Sequence, residues 1–415
     1  MSAPQSLTPL LRPRAGIPAV GHTPADFAAA AVHITKGRGP IAIDTERASE
    51  FRFDDRAFLV QLRRQDSGTL VLAPESDRAE FTRHLAPVLN TAEWIVHAAM
   101  SDLPALTALG LRPRLLFDTE MAGRLAGFSH VNLAALVAEI LGYQLEKGHA
   151  DEYWAAWPLP EEWINYAALD VELLLELAEA LTEILAEQGK LAWAEQEFAY
   201  ILSQDYSIAH TPWQDVKGVG KLKHPRQRQV ARALWEHREA LGREHDIAPN
   251  RILSNRGLVE IATLETHSQS AIMSVLSRTR SRRHLHVPIP RAALPSAKQW
   301  VSVIRAALAT PEAHWPAPVR NTFDGPAPRS VWSRSFPEAA TALNQVRLLI
   351  DDLAQGINTP AENILQPSHL RELVWQATIT GSLRSTEALT NHALRIGVRE
   401  WQLELTLPLL TKVLV

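Results

Sequence analysis

The sequence predicts an α/β domain followed by two all-α helical modules. Three observations carry that prediction. Segments of strand character occur only before residue 100, helical periodicity runs without strands after about residue 205, and two late helical stretches repeat each other at a constant spacing.

The first 24 residues read as a disordered lead-in. They contain no acid, Arg12 and Arg14 interrupt any signal-peptide core, and the prolines oppose an amphipathic targeting helix. The α/β domain is expected over 25–205. Within it "IAID" (41–44), "FLVQL" (58–62) and "TLVLA" (69–73) read as a three-strand meander, with a helix near 76–89 and a fourth strand at "WIVHA" (94–98). Helices are expected at "DLPALTALG", "DTEMAGRLAGF" and "NLAALVAEILG", and then as one long stretch over 160–188.

A turn-rich segment at 210–225 leads to a helical module expected over 211–292. A Pro-rich linker follows over 293–329, and a second helical module over 330–415. "IAPNRILSNRGLVEIA" (247–262) and "TPAENILQPSHLRELV" (359–374) superimpose at an offset of 112, pairing Ile252 with Ile364, Leu253 with Leu365 and Leu258 with Leu370. Upstream, Leu234 and Leu241 match Val346 and Leu353, so the module is read as duplicated.

With 415 residues, 46% of them hydrophobic and 21% charged, the chain has the composition of a globular protein with several cores. No cysteine is present, which excludes disulfides, thiolate zinc sites and cysteine nucleophiles and agrees with a reducing compartment. No apolar run approaches the roughly 18 residues of a membrane span, so no membrane partner is expected. The net charge of −4 hides an asymmetry: residues 211–300 hold 16 Lys or Arg against 7 Asp or Glu. A basic module joined to an acidic remainder points to a polyanionic partner.

The chemistry-bearing candidates are carboxylates. Asp44 and Glu46 end the first strand one residue apart, on one face by strand alternation. Two acids so placed repel unless a cation lies between them. Asp102 follows the fourth strand, Asp118 opens "DTEMAGRL", and Asp170 lies in a helix one turn after Tyr166. Singly, each has a structural reading. Asp102 and Asp118 fit helix N-caps, Asp170 with Tyr166 fits a solvated helical face, and Asp44 with Glu46 fits a polar strand end.

Together, "IDTE", "HAAMSDLPAL" and "YAALD" resemble the three exonuclease motifs of the DEDD superfamily in its tyrosine-bearing form, and the arrangement looks like the ribonuclease D family. "FLVQL", "FDTEMAGRL" and "WAAWPLPEEWINYAALD" follow the same pattern, and residues 213–262 resemble an HRDC domain. The resemblance implies an RNase H-like exonuclease domain followed by two HRDC-like domains, the second diverged. It implies that Asp44, Glu46, Asp102 and Asp170 hold two divalent ions, Mg²⁺ or Mn²⁺, roughly 4 Å apart, and that Tyr166 orients the attacking water. It also implies a cytoplasmic 3′ to 5′ exoribonuclease that releases nucleoside 5′-monophosphates and matures the 3′ ends of tRNA precursors and other structured RNA. A monomer is expected, since one chain supplies every catalytic group.

Two departures from the family stand out. Arg47 replaces an aromatic after the first motif, and "KGHADEYWAAWPL" carries Tyr153 and Trp157 where an acid and a base are usual. Arg47, Lys217, Lys221, Lys223, Arg226 and Arg228 are the candidate nucleic-acid contacts, and "RTRSRRHLH" (278–286) fits either a phosphate contact or a solvated helix end. "KGVGK" (217–221) lacks the spacing and hydroxyl of a nucleotide-hydrolysing phosphate loop. His97 is read as a packed strand residue and Asp118 as a positioning or capping residue. Two rival readings are a DNA exonuclease on the same fold and a binding scaffold without activity.

Overall fold

The computed structural model describes residues 7–145, 148–149, 151–207, 211–279, 287–317 and 325–415. Its α/β part is built on a mixed six-stranded sheet. The strands are β1 (Thr8–Leu10), β2 (Val20–Gly21), β3 (Arg38–Arg47), β4 (Ala57–Gln65), β5 (Gly68–Leu72), β6 (Glu93–Val96), β7 (Leu115–Asp118) and β8 (Tyr143–Leu145). The sheet order is β2-β5-β4-β3-β6-β7, and β1 pairs separately with β8. The predicted meander is present as antiparallel β3-β4-β5, while β6 and β7 add in parallel beside β3.

The helices of this part are α1 (Pro24–Thr35), α2 (Arg78–Leu89), α3 (Leu103–Ala108), α4 (Thr119–Ala126), α5 (Leu133–Leu136), α6 (Glu161–Glu172), α7 (Leu174–Glu187) and α8 (Leu191–Ser203). The single helix expected over 160–188 is two. Leu173 leaves the helical region (φ −118°, ψ 8°), so α6 lies across β3, β4 and β5 while α7 continues over β3 and β6. Glu172, 1% exposed, anchors the end of α6: its carboxylate accepts from Arg63 Nη1 at 3.0 Å, Thr69 Oγ1 at 3.1 Å and the Arg14 backbone N–H at 3.1 Å.

That last contact corrects the disordered lead-in expected over 1–24. Among its described residues, 8–10 pair with 143–145, 20–21 pair with 71–72, and Asn165 Nδ2 donates to the Leu11 carbonyl at 2.8 Å. Backbone pairing with distant segments orders this stretch, and such pairing leaves no periodic signal in the lead-in itself.

The first helical module comprises α9 (Pro225–His245), α10 (Pro249–Ile252), α11 (Asn255–Thr263), α12 (Gln269–Thr279) and α13 (Ala297–Leu308). The last of these corrects the linker expected over 293–329. α13 opens with a Ser296–Gln299 capping box, packs on α9 and buries Trp300 and Ile304 in the core of this module. The second module comprises α14 (Trp332–Ser335), α15 (Pro337–Ile357), α16 (Ala361–Ile364), α17 (Pro367–Thr378), α18 (Thr386–Arg395) and α19 (Glu400–Leu414). Among the described residues no helix is long and apolar enough to cross a membrane.

The duplication is explicit in the geometry. α9 and α15 are both 21 residues long, begin with proline and start 112 positions apart. Each ends on a left-handed residue with φ 50°, Asp246 in the first copy and Asn358 in the second. A one-turn helix follows in each, then an extended leucine, Leu253 or Leu365.

Both left-handed corners dock on the α/β domain. Asp246 accepts from Arg56 Nη2 at 2.6 Å, Arg56 Nη1 at 3.0 Å and Arg52 Nη1 at 3.2 Å, in the loop after β3. The Asn358 carbonyl accepts from Lys190 Nζ at 3.1 Å, and Thr359 Oγ1 donates to the Leu125 carbonyl at 3.2 Å. Gly127, at φ 90°, lies directly beneath Asn358, leaving no room for a Cβ. Gly127→Ala is therefore expected to cost at least about 1 kcal/mol from the left-handed backbone alone, plus the displacement of Asn358. The check is thermal unfolding, in which a wild-type melting temperature would contradict this packing.

Candidate active site

β3 is central in the sheet, so "IAI" is buried between β4 and β6 and delivers Asp44 and Glu46 to its C-terminal end. α6 crosses above that end and brings Tyr166 and Asp170. Ligand-capable oxygens of Asp44, Glu46 and Asp170 lie within 4.8 Å of one another. Asp44 and Asp170 keep partial exposure while Glu46 is 7% exposed, so the cluster forms a floor open on one side. Strand end and helix face thus converge, which neither structural reading of these residues requires.

Asp102 is the fourth acid. It occupies the residue before α3 yet caps no amide of that helix. Instead it accepts from Thr45 Oγ1 at 2.5 Å and Ser101 Oγ at 3.1 Å, and it lies close enough to Asp44 to raise that group's pKa. Thr45, between the two strand acids, points the other way by alternation and ties β3 to Asp102.

Asp118 is the residue that caps. It accepts from the backbone N–H groups of Glu120 (2.9 Å) and Met121 (3.1 Å) at the start of α4, and from Ala98 (3.2 Å) and Ala99 (2.8 Å) in the left-handed turn before Asp102. It shapes the approach to Asp102 without joining the cluster. His97 packs as expected: Nδ1 lies 2.9 Å from Thr119 Oγ1, and burial lowers its pKa to about 4.

The electrostatics follow from four acids in a small volume. Burial, then Asp102 and Asp170, push Asp44 well above the ordinary carboxylate range; burial, then Asp44, do the same to Glu46. Burial raises Asp102 as well, partly offset by Arg47. Asp170 rises to about 7, mainly by burial, although its contact with the Tyr166 hydroxyl favours the carboxylate. Burial and the neighbouring acids push the Tyr166 phenol far upward, so it remains a protonated donor at neutral pH.

The donor set fits a hard divalent cation. It consists of carboxylate oxygens without thiol or imidazole, and the acids cannot all ionise together without positive charge between them.

Around Tyr166 stands an aromatic wall. Trp154 and Trp163 lie 5.6 Å apart, the His149 ring is 6.0 Å from Tyr166, and Tyr153 packs on Phe51 at 5.0 Å. The unusual Tyr153 is thus a wall residue against the loop after β3. Arg47 is part-buried, donating to the Ser101 carbonyl and lying 3.5 Å from Asp55.

The basic candidates divide. Lys217, Lys221 and Lys223 are exposed, whereas Arg226 is half-buried against His267. Arg228 is corrected: it is 2% exposed and donates to the carbonyls of Leu222, Lys223 and Pro316, so it staples the first module internally. Its basic neighbours hid this role, since a charged residue in a basic run gives no sign of burial. Of 278–286, residues 280–286 lie outside the described residues.

Comparison with known proteins places three families along the chain: a 3′-5′ exonuclease over 21–186, an HRDC domain over 227–280, and a 3′ to 5′ exonuclease C-terminal domain over 325–414. Ribonuclease D of Gluconacetobacter diazotrophicus is 32% identical over 249 residues, 58% of this chain and 62% of that protein. Ribonuclease D of Serratia proteamaculans is 28% identical over 326 residues, covering 77% and 83%. The match spans only about three fifths of the length of several such curated relatives. A crystal structure of a protein from Bifidobacterium adolescentis is similar over 98% of this chain and 99% of that one, with TM-score 0.84 and 32% identity. Escherichia coli RNase D shares the fold, with TM-score 0.64 over 92% of this chain at 22% identity.

The raised Asp170 carboxyl makes a prediction about stability. A group whose pKa is higher folded than unfolded stabilises the fold below its unfolded value, 3.8, and loses that contribution as pH rises through about 7. In metal-free protein at pH 8, Asp170→Asn should therefore melt several degrees above wild type, with the gap closing as pH falls from about 7 toward the unfolded value of 3.8. A gap independent of pH would contradict the raised pKa of this buried carboxyl.

Proposed function

We propose, from the premise that the chain belongs to the ribonuclease D family, that it is a metal-dependent 3′ to 5′ exoribonuclease acting on structured RNA. The observation that carries this reading is the convergence of Asp44, Glu46 and Asp170 within 4.8 Å, with Asp102 tied to the same strand through Thr45. Escherichia coli RNase D is described as an exoribonuclease involved in structured RNA processing, and maturation of tRNA 3′ ends is the corresponding role proposed here.

In this reading the four acids hold two divalent ions, Mg²⁺ or Mn²⁺. Bound there, such ions activate water and offset the negative charge that develops on the leaving oxygen. The rest falls to the chain's own residues. The Tyr166 phenol, held protonated, orients the attacking water through a hydrogen bond rather than deprotonating it. Water oxygen attacks the terminal phosphorus, the bond from phosphorus to the 3′ oxygen breaks, that oxygen takes up a proton, and a nucleoside 5′-monophosphate leaves. Thr45 and Ser101 fix Asp102, and Asp118 fixes the turn before it. Arg47, at the rim, is the proposed contact for the terminal phosphate or base. Lys217, Lys221 and Lys223 are the proposed contacts to more distant phosphates, which set position rather than sequence preference.

The test is degradation of a 5′-labelled, 3′-tailed structured RNA with Mn²⁺ or Mg²⁺. A ladder shortening from the 3′ end is expected, abolished by EDTA and by Asp44→Ala. RNA that stays intact while bound would move the reading to a scaffold, and equal attack on a matched DNA would remove the preference for RNA. Tyr166→Phe should slow the reaction on the order of a hundredfold while retaining metal and RNA, as a lost orienting contact does. Wild-type rates in that variant would remove Tyr166 from the mechanism.

A further inference from the structure

The internal duplication provides a control for reading the second helical module. In the first, the groove between α9 and the α10–α11 corner is filled. Arg238 is 4% exposed there and donates to the Leu253 carbonyl at 2.9 Å and Asn255 Oδ1 at 2.8 Å. Gly218, in the arm that precedes α9, closes over Val259. The offset of 112 places Ile350 at the position of Arg238, Arg347 at that of Trp235 and Arg371 at that of Val259.

These exchanges remove the plug and add cations. The corresponding groove in the second module is a cavity of about 380 Å³ with an apolar floor that includes Leu343, Ile350, Leu365 and Leu370. Arg329, Arg347 and Arg371 also line the cavity, together with two carboxylates, Asp351 and Glu362. Among the described residues none of the three arginines has a hydrogen-bond or ion-pair partner, and Arg371 Nε is enclosed without one. Three unpaired guanidiniums over one apolar pocket are poised for an anion, and the planar fork of arginine matches phosphate oxygens. Inorganic phosphate alone would leave the apolar floor unused. A long-chain lipid would exceed a cavity near the lower end of the ligand-pocket range, roughly 300–1,000 Å³.

We propose that this cavity is a nucleotide-binding site separate from the carboxylate cleft. The guanidiniums take the phosphate of a nucleoside monophosphate, the floor takes the face of the base, and Asp351 and Glu362 accept from base amino or ribose hydroxyl groups. The phosphate can belong to a free mononucleotide, the class of product proposed above, or to the 5′-phosphorylated end of an RNA strand.

The experiment is calorimetric titration of the full chain with each of the four nucleoside 5′-monophosphates in EDTA, so that no divalent ion draws phosphate to the acidic cleft. Saturable binding is expected, with adenosine and inorganic phosphate each weaker than the intact nucleotide. Arg347→Ala should weaken it about tenfold or more, the scale of one charge-assisted hydrogen bond. Ile350→Arg, which restores the arginine that fills the first module, should do the same. Circular dichroism and melting temperature verify that both variants fold. Asp44→Ala should bind as wild type does, which separates this site from the hydrolytic reading. Competition by 5′-phosphorylated RNA, but not by the same RNA with a 5′-hydroxyl, would assign the strand end as the source; failure of both to compete would assign the free nucleotide. No binding at millimolar concentration, or binding unchanged in Arg347→Ala and in Ile350→Arg, would overturn the proposal.

Discussion

Mutual repulsion among buried carboxylates is the constraint around which the α/β domain is organised. Asp44 and Glu46 arrive on the central strand, Asp170 on the helix that crosses it, and Asp102 on the turn after the neighbouring strand. Burial raises every one of them, so the metal-free site holds protons or strain. The surroundings hold the acids together against that cost. Glu172 bolts α6 to Arg63 and Thr69, Thr45 ties β3 to Asp102, and Asp118 accepts from two backbone amides of the turn between β6 and α3 and from two at the start of α4, joining that turn to α4. A site destabilised when empty has a large free-energy reserve for binding cations.

The duplicated helical modules use one geometric device twice. A 21-residue helix ends on a left-handed corner, and that corner meets the α/β domain. Asp246 grips the loop that leaves β3 directly after the strand acids, through Arg52 and Arg56, while Asn358 meets Lys190 and the end of α4. The loop gripped by Asp246 also packs through Phe51 on Tyr153, in the aromatic wall beside Tyr166. The first module is therefore joined to the site through contiguous contacts. Beyond this shared corner the copies diverge: the first keeps a filled groove and a basic surface, the second an open groove lined by Arg329, Arg347 and Arg371.

Much of this was legible in the sequence for definite reasons. Strand alternation put Asp44 and Glu46 on one face, and helical spacing put Tyr166 beside Asp170. The meander and the duplicated helices rest on local periodicity, which survives folding unchanged. What escaped depended on partners remote in sequence. β7 is only four residues long and merges with α4 in pattern, and the lead-in is ordered by strands and side chains more than a hundred residues away. The break at Leu173 leaves the apolar periodicity intact, and it lies beside Glu172, whose partners Arg63 and Thr69 are about a hundred residues away. Arg228 read as a surface cation because its carbonyl partners are invisible in a sequence, and α13 was masked by the prolines that flank it.

The central claim is that divalent ions replace protons and repulsion among these acids. Calorimetric titration of Mn²⁺ into metal-free protein near neutral pH, repeated in buffers of different ionisation enthalpy, counts the protons released on binding. The account predicts about two ions per chain, proton release that grows as pH is lowered toward 6, and a smaller release in Asp170→Asn. Tight binding without proton release, or no binding to the wild-type chain, would contradict it.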